Sequence, residues 1–247
     1  MTQRIFTISL LALLATFSNS LLAEKTVPQR ILFIGNSYTG GTKAGIEFFL
    51  KQADRNIQLK FIHPGGRRLS QHATDKQTLT TIAEGNWDLV VLQEQSQIPS
   101  LPNVRDEYLQ AGVQLSQAIR KADSDCLLFQ TWGRRDGDKW NKQLNPDFAT
   151  MQKRLSEGYA ALSERTETPV APVGQAWAIV HDDSPVLFRK LYAGDGSHPS
   201  ALGAYLTGAV FYAVITGNDP REVTSLPRGV NQEEAAILCA AAQKATK

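Results

Sequence analysis

The 247-residue sequence has little net charge and few cysteines. Its 26 Lys and Arg residues against 24 Asp and Glu leave a formal charge of +2, and no run of five basic residues forms a local patch. Proteins that bind nucleic acid neutralise many phosphates with Lys and Arg, so no nucleic-acid partner is expected. Cys126 and Cys239 both lie among apolar neighbours. A disulfide and two buried free thiols are both open on this evidence.

The sequence also lacks the short motifs that hold metals and nucleotides. It contains no H-E-x-x-H, no C-x-x-C, no Walker glycine loop and no G-x-G-x-x-G. The G-x-S-x-G elbow of the α/β-hydrolases is missing as well. No metal and no cofactor is therefore expected, and any chemistry has to come from the side chains and the backbone.

The first 23 residues have the composition of a secretory signal peptide. Arg4 supplies a positive charge, residues 5–17 are mainly apolar, and Ala23 is a small residue before the charged Glu24. A retained membrane anchor is the alternative, but the apolar run is shorter than the roughly 20 residues that span a bilayer. The sequence thus predicts cleavage after Ala23, one mature domain over residues 24–247, a periplasmic or secreted location and no stable membrane insertion.

Short apolar runs alternate with helical patterns along the rest of the chain. The predicted strands are residues 30–35, 57–62, 87–92, 126–131 and 169–173. The predicted helices are residues 42–54, 69–85, 106–121, 147–165, 174–181 and 200–216. This alternation indicates βαβ units and a mostly parallel sheet, and no internal repeat or linker divides it. The expected fold class is therefore α/β, in one domain.

Polar residues follow the first three predicted strands, at the edge where open parallel sheets bind their ligands. Ser37 comes directly after the first strand and before a helix, so its hydroxyl can be exposed beside helix N–H groups. An N-cap or turn role is the alternative for this serine. Pro64-Gly65-Gly66 follows the second strand, and Gln93-Glu94-Gln95-Ser96 follows the third.

The segment Asp195-Gly196-Ser197-His198-Pro199 precedes the last predicted helix. A serine hydroxyl needs a base to remove its proton, and a carboxylate beside a histidine fixes the tautomer of that base. Of the four histidines, only His198 has a carboxylate in so constrained a setting. His63 lies beside the glycine turn and is a candidate for lining the pocket, with an ordinary loop histidine as the alternative. His72 and His181 are interpreted as surface-helix residues.

Together these blocks resemble the SGNH/GDSL hydrolases over about residues 30–216. The resemblance is carried by Ile34-Gly35-Asn36-Ser37, by Gly66 and by Asp195-Gly196-Ser197-His198-Pro199. It implies a flavodoxin-like, three-layer α/β/α sandwich with Ser37 as nucleophile, His198 as general base and then acid, and Asp195 orienting the histidine. It also implies that the backbone N–H groups of Ser37 and Gly66 are oxyanion donors.

Two blocks depart from the family pattern. Asn36 stands where the family usually has Asp, which removes a charge without touching the nucleophile. The family's G-x-N-D block is replaced by Gln93-Glu94-Gln95-Ser96. A gapless match from Trp87 sets Gln95 at the position of the oxyanion-binding Asn, and Gln93 is the other candidate. Similar Gln-rich blocks occur in carbohydrate-directed members of the family.

The sequence therefore predicts an exported serine esterase that acts through an acyl-enzyme on small acyl esters, with O-acetyl groups on carbohydrate as the first choice. Trp132 follows the fourth strand and can stack on a sugar ring, or else cover the core. A lipid esterase such as a lysophospholipase is the second enzyme hypothesis, but the loops at 64–70 and 132–142 are polar and basic. A catalytically silent carbohydrate-binding protein is the alternative from another class. The sequence leaves the oligomeric state open.

Overall fold

Five parallel strands form a sheet at the centre of the computed structural model, which describes residues 27–247. The strands are β1 (Arg30–Ile34), β2 (Gln58–Ile62), β3 (Leu89–Leu92), β4 (Asp125–Phe129) and β5 (Val170–Ala171). Their order is β2-β1-β3-β4-β5, and each neighbouring pair is parallel. This is the flavodoxin-like order of doubly wound sheets. The predicted signal peptide over residues 1–23 lies outside the described residues.

Helices cover both faces of this sheet. They are α1 (Ser37–Ala53), α2 (Leu69–His72), α3 (Lys76–Glu84), α4 (Arg105–Lys121), α5 (Phe148–Thr166), α6 (Val173–Asp183), α7 (Pro185–Lys190), α8 (Ala201–Thr216) and α9 (Gln232–Ala245). One apolar cluster takes residues from α1 and α6 to α9, and a second takes residues from α2 to α5. The three-layer α/β/α prediction is confirmed.

The strand residues alternate between these two clusters. In β1, Ile31 and Phe33 belong to the first cluster, whereas Leu32 and Ile34 belong to the second. All four residues of β3 are buried as well. Strands buried on both faces explain why the sequence shows continuous apolar runs instead of a polar alternation.

Helix α8 is apolar on nearly all sides and almost entirely buried. A helix with this composition has no face suited to solvent, so it packs inside the fold. Phe211 of α8 meets Phe33 of β1 and Phe129 of β4 edge to face, with ring centroids 5.3 and 5.0 Å apart. Helix α8 is thereby fixed against the middle of the sheet.

Glycines let α1 and α8 cross with their backbones in direct contact. A Cβ added at Gly45 would lie 1.9 Å from the carbonyl oxygen of Ala204, and one added at Gly208 would lie 2.1 Å from that of Gly45. Since α1 begins at Ser37 and α8 closely follows His198, this crossing brings the segments that carry these two residues together.

Gly45→Ala is expected to destabilise the protein, because backbone atoms on both helices have to move apart. Overpacking typically costs about 1–3 kcal/mol, and the better helix propensity of Ala returns only about 1 kcal/mol. Urea unfolding should therefore give a clearly lower midpoint for the variant. Gly194→Ala is the matched control, since no atom of the described part of the chain lies within 4 Å of a Cβ there. Equal midpoints for both variants would contradict the packing argument.

Several element boundaries differ from the sequence prediction. Helix α1 begins at Ser37, not at residue 42, because Asn36 caps it despite the glycines in its first turns. The predicted helix over residues 69–85 is divided into α2 and α3, and Asp75 caps the second. Helices α7 and α9 were not predicted. Helix α9 begins with a capping box in which Asn231 and Glu234 satisfy each other's backbone N–H groups.

The two cysteines are free and buried. Cys126 belongs to the cluster on one face of the sheet and Cys239 to the cluster on the other, which excludes the disulfide alternative. Burial raises the pKa of the Cys126 thiol to about 12, so it is protonated at neutral pH. In residues 27–247, no helix is long and apolar enough to cross a membrane.

Candidate functional site

Ser37 lies at the point where the chain order of the sheet reverses, between the carboxyl ends of β1 and β3. This switch point forms a crevice in doubly wound folds. The side chain of Asn36 accepts a hydrogen bond from the N–H of Tyr38 at 3.1 Å and donates one to the carbonyl oxygen of Arg67 at 3.0 Å. Asn36 thus starts α1 and also holds the glycine turn. An aspartate at this position could accept from Tyr38, but its carboxylate has no hydrogen to donate to Arg67.

Ser37, His198 and Asp195 form a continuous hydrogen-bonded chain. The Oγ of Ser37 lies 2.9 Å from Nε2 of His198, and Nδ1 of His198 lies 2.6 Å from Oδ2 of Asp195. The structure therefore brings Ser37 into contact with a histidine that lies 161 positions later in the sequence. An imidazole between a hydroxyl and a carboxylate is the arrangement that activates a serine for nucleophilic attack.

The Asp195 carboxylate is held by its own loop. Its Oδ1 accepts hydrogen bonds from the N–H groups of Ser197 and His198 at 2.9 and 3.0 Å, while Oδ2 faces the imidazole. Partial burial raises the pKa of Asp195, but the hydrogen bonds from the imidazole and the two N–H groups outweigh it and lower the pKa to about 2. Asp195 is consequently ionised over the whole physiological range.

Trp132 is buried and supports the histidine loop from below. Its indole is stacked between Trp177 at 4.2 Å and Tyr38 at 4.7 Å, and its Nε1 donates to the carbonyl oxygen of Ser197 at 3.0 Å. The Tyr38 hydroxyl lies 2.7 Å from Oγ of Ser197. Since both faces of the indole are covered, the prediction that Trp132 stacks on a sugar ring is wrong. Its alternative role, covering the core, is the one observed.

The two backbone groups predicted as oxyanion donors both lie beside this site. The N–H of Ser37 is in the first turn of α1, where helix geometry leaves it without an intrahelical acceptor. Gly66 is exposed and has a φ of +67°, a left-handed conformation that glycine adopts without strain. Within residues 27–247, neither N–H group donates a hydrogen bond. Both are free to bind an anionic oxygen.

Gln93 and Gln95 lie in different surroundings. The Gln93 carboxamide is buried under α1, where Oε1 accepts from the N–H of Asn36 at 3.0 Å and the hydroxyl of Thr39 at 2.8 Å, and Nε2 donates to the carbonyl of Glu94. Gln95 is only partly buried. Its Oε1 accepts from the N–H of Gln97 at 2.8 Å, and among residues 27–247 its Nε2 contacts only the Gln97 side chain, at 3.3 Å. Gln93 holds the serine turn, and Gln95 has an amide hydrogen available.

Glu94 is a buried carboxyl between the third strand and the glycine turn. It accepts hydrogen bonds from the N–H of Gln95 at 2.5 Å and of Leu69 at 3.2 Å. Burial raises its pKa to about 7, although both hydrogen bonds and the charge of Arg68 oppose that shift. Glu94 therefore ties two segments that carry predicted oxyanion donors to each other.

Glu94→Gln is expected to flatten the pH dependence of stability. The pKa of Glu94 is about 7 in the folded protein and 4.5 as the usual value, so the folded state retains a proton that the unfolded chain releases. Stability from this group is full below about pH 4.5 and falls by about 3 kcal/mol in total as the pH rises through 7. Urea unfolding at about pH 5 and about pH 8 measures the difference.

The matched control for this substitution is Glu107→Gln, because the Glu107 side chain is 51% exposed. We expect the control to keep the wild-type slope of stability against pH, and Glu94→Gln to lose it. Parallel slopes for the wild type and both variants would show that Glu94 is ionised in the folded protein throughout this range.

The two other histidines near the site have separate positions. His63 is exposed and its ring lies against the first turn of α1, where a Cβ at Gly40 would come within 2.7 Å of Nδ1. His72 is fully buried, and its Nε2 lies 2.9 Å from the carbonyl oxygen of Gly35. The interpretation of His72 as a surface residue is therefore wrong. Burial lowers the pKa of His72, so a neutral ring supports the serine turn from beneath.

An open cavity of about 360 Å³ lies next to the histidine loop. Its lining combines that loop with the loop after β4, and the residues are Arg134, Asp136, Gly137, Lys139, Trp140, Asp195, Gly196, Ser197 and His198. The size is within the range of small-molecule sites. Sequence reasoning missed Trp140, although a tryptophan inside a polar loop was the available signal.

No family model matches the chain, and no curated protein sequence matches it. Solved structures do match. A DUF4886 family protein from Bacteroides uniformis has a TM-score of 0.73 at 16% identity, over 87% of this chain and 93% of that one. A provisionally assigned SGNH hydrolase from Slackia heliotrinireducens has a TM-score of 0.63 at 27% identity, over 74% and 97%. Axe2, an acetylxylan esterase from Geobacillus stearothermophilus, has a TM-score of 0.58 at 15% identity, over 80% and 98%.

The parallel sheet and its strand order define a flavodoxin-like α/β fold, and the Ser-His-Asp chain at the carboxyl edge of the sheet is a site of the hydrolase type. Among such architectures, the chain has the fold of the SGNH/GDSL hydrolase superfamily, as its sequence predicted. The neighbour from Slackia heliotrinireducens, which is itself named as an SGNH hydrolase, supports a hydrolase.

Proposed function

We propose that this protein is an exported serine esterase that removes small acyl groups, with O-acetyl groups on carbohydrate as the first candidates. The observation that carries the proposal is the hydrogen-bonded chain from Ser37 through His198 to Asp195 at the switch point of the sheet. The polar cavity beside it favours a polar alcohol component over a lipid. Two of the structural neighbours are named as acetylxylan esterases, which agrees with this choice.

The reaction proceeds in two acyl transfers. His198 Nε2 takes the proton of Ser37 while Oγ attacks the ester carbonyl carbon, and the resulting imidazolium is stabilised by the ionised Asp195. The tetrahedral intermediate collapses, the C–O bond to the alcohol breaks, and the alcohol leaves with the proton from His198. Water then attacks the acyl-enzyme with His198 as base, which releases the carboxylic acid and restores Ser37.

The oxyanion of each tetrahedral intermediate is bound by three donors: the N–H groups of Ser37 and Gly66 and the side-chain amide of Gln95. Gln95 is preferred over Gln93 because both polar atoms of the Gln93 carboxamide already make hydrogen bonds beneath α1. Preorganised donors of this kind are worth about 100-fold to 1,000-fold in rate each. His63, whose ring lies against the first turn of α1, is the further candidate for contacting the substrate.

The proposal is tested by measuring hydrolysis of p-nitrophenyl acetate and its longer acyl homologues, together with labelling by an organophosphonate probe. We expect the highest kcat/KM with acetate, and a label that mass spectrometry maps to Ser37. Ser225→Ala is the control, because Ser225 is exposed and bonded to Gln52. A preference for long acyl chains would indicate a lipid esterase. Binding of acetylated glycans without any labelling of Ser37 would indicate a catalytically silent binding protein.

A further inference from the structure

Trp140 exposes a large apolar surface at the cavity next to His198. This residue is 75% exposed, whereas Trp87, Trp132 and Trp177 are all buried. An exposed indole beside a cavity leaves apolar area in contact with water, which a bound ligand can remove. The position thus needs a physical explanation that core packing does not supply.

The loop that carries Trp140 is fixed by a buried carboxylate. Asp138 is fully buried, and it accepts hydrogen bonds from the N–H of Trp140 at 3.1 Å, Nη1 of Arg134 at 2.8 Å and Nδ2 of Asn141 at 2.7 Å. These bonds and the charge of Arg134 lower the pKa of Asp138 although burial opposes them. A carboxylate with this many donors holds the loop in one conformation.

The same loop is attached to both sides of the Ser-His-Asp site. Gln97, two residues after Gln95, donates from Nε2 to Asp138 at 2.6 Å. On the other side, the N–H of Arg135 donates to the carbonyl oxygen of Gly196 in the histidine loop at 2.9 Å. The backbone at Trp140 is therefore held at a fixed position relative to the groups that carry out the proposed reaction, which reduces the entropic cost of binding.

We propose that Trp140 is the platform on which the alcohol component of the substrate binds, and that this component is a sugar ring. This inference rests on the proposed esterase function. A pyranose has an apolar C–H face for the indole and hydroxyl groups at its edge for charged neighbours. Asp136 and Lys139 line the same cavity, and the Lys139 ammonium lies 5.0 Å from the centroid of the Trp140 ring. An acyl chain needs a mainly apolar lining, and this cavity offers one large apolar side chain.

The test compares two esters of one acid, acetylated methyl xylopyranoside and p-nitrophenyl acetate. We expect Trp140→Ala to lower the ratio of kcat/KM for the sugar ester to kcat/KM for p-nitrophenyl acetate by about tenfold, mainly through KM. Trp140→Phe keeps an aromatic face and is expected to restore most of the ratio. Val186→Ala is the control, because Val186 is 77% exposed and lines a different cavity; it should leave the ratio unchanged.

A binding measurement keeps this test separate from the esterase proposal. With Ser37→Ala protein, acetylated methyl xylopyranoside is expected to change the tryptophan fluorescence, and adding Trp140→Phe is expected to remove that change. An unchanged ratio in Trp140→Ala, or a fluorescence change that survives Trp140→Phe, would overturn the platform. If the wild type hydrolysed neither ester faster than Ser37→Ala, the esterase function would be overturned instead. The fluorescence titration would still decide the role of Trp140.

Discussion

Ser37→Ala and His198→Ala are each expected to lower kcat for p-nitrophenyl acetate by about 10⁴-fold to 10⁶-fold. The reason is geometric: Oγ of Ser37 and Nε2 of His198 are 2.9 Å apart, so the hydroxyl loses its proton to the imidazole in the step that forms the new bond. Without the hydroxyl no acyl-enzyme forms, and without the imidazole the hydroxyl is a poor nucleophile. Steady-state kinetics on separately purified proteins measure both losses.

The double variant provides the sharper form of this expectation. Because the two residues act as one unit, Ser37→Ala with His198→Ala should lose no more activity than either single variant. Far-ultraviolet circular dichroism should be unchanged, since Ser37 is only partly buried and the His198 side chain is 42% exposed. Losses that multiply in the double variant would contradict a shared step, as would more than a few per cent of activity left in Ser37→Ala.

The placement of Ser37 near Asp195 and His198 was predictable because parallel strands bring distant segments to one edge. A serine after the first strand and a D-x-x-H segment before a helix each project from the carboxyl side of the sheet, whatever the number of residues between them. Continuous apolar runs such as Leu89–Leu92 also identified the buried strands. What the sequence shows clearly is therefore the order of elements and the residues at their ends.

The choice between the two loop tryptophans was not predictable. Trp132 and Trp140 lie eight residues apart in one polar loop, and periodicity says nothing about which indole is buried. The outcome depends on contacts across the fold: Trp132 inserts between Tyr38 and Trp177, while the buried Asp138 turns the chain so that Trp140 faces outward. Such long-range contacts leave no local pattern for a single sequence to show.

The glutamine block shows the same limit at the level of side chains. Alternation along a strand end puts Gln93 and Gln95 on the same face, because they are two residues apart, so it does not tell which carboxamide faces the substrate. The structure separates them because Oε1 of Gln93 is accepting from Asn36 and Thr39 under α1. The predicted start of α1 at residue 42 was wrong for a related reason. The glycines before residue 42 indicated a loop, but the capping bond of Asn36 lets the helix begin at Ser37.

Asp195→Asn is expected to lower kcat for p-nitrophenyl acetate by about 10⁴-fold while leaving the fold intact. The carboxamide oxygen can still accept from the N–H groups of Ser197 and His198, so its NH₂ group is turned toward Nδ1 of His198. Nδ1 must then accept a hydrogen bond, which puts the ring proton on Nε2. That tautomer donates toward Ser37 instead of removing its proton, and the imidazolium also loses its counter-charge.

The control for Asp195→Asn is Asp183→Asn, because Asp183 is an exposed carboxylate paired with Lys244 on a distant surface. It should retain wild-type kinetics. Because the pKa of Asp195 is about 2, the wild-type carboxylate is charged throughout the range from about pH 4 to about pH 9, and a loss of activity through its protonation is expected only as the pH approaches 2. A tautomer defect in Asp195→Asn should accordingly persist across that whole range. If the variant instead lost less than about tenfold, orientation of His198 would have to come from the loop backbone and from the Tyr38 ring, 5.3 Å away, and not from the carboxylate.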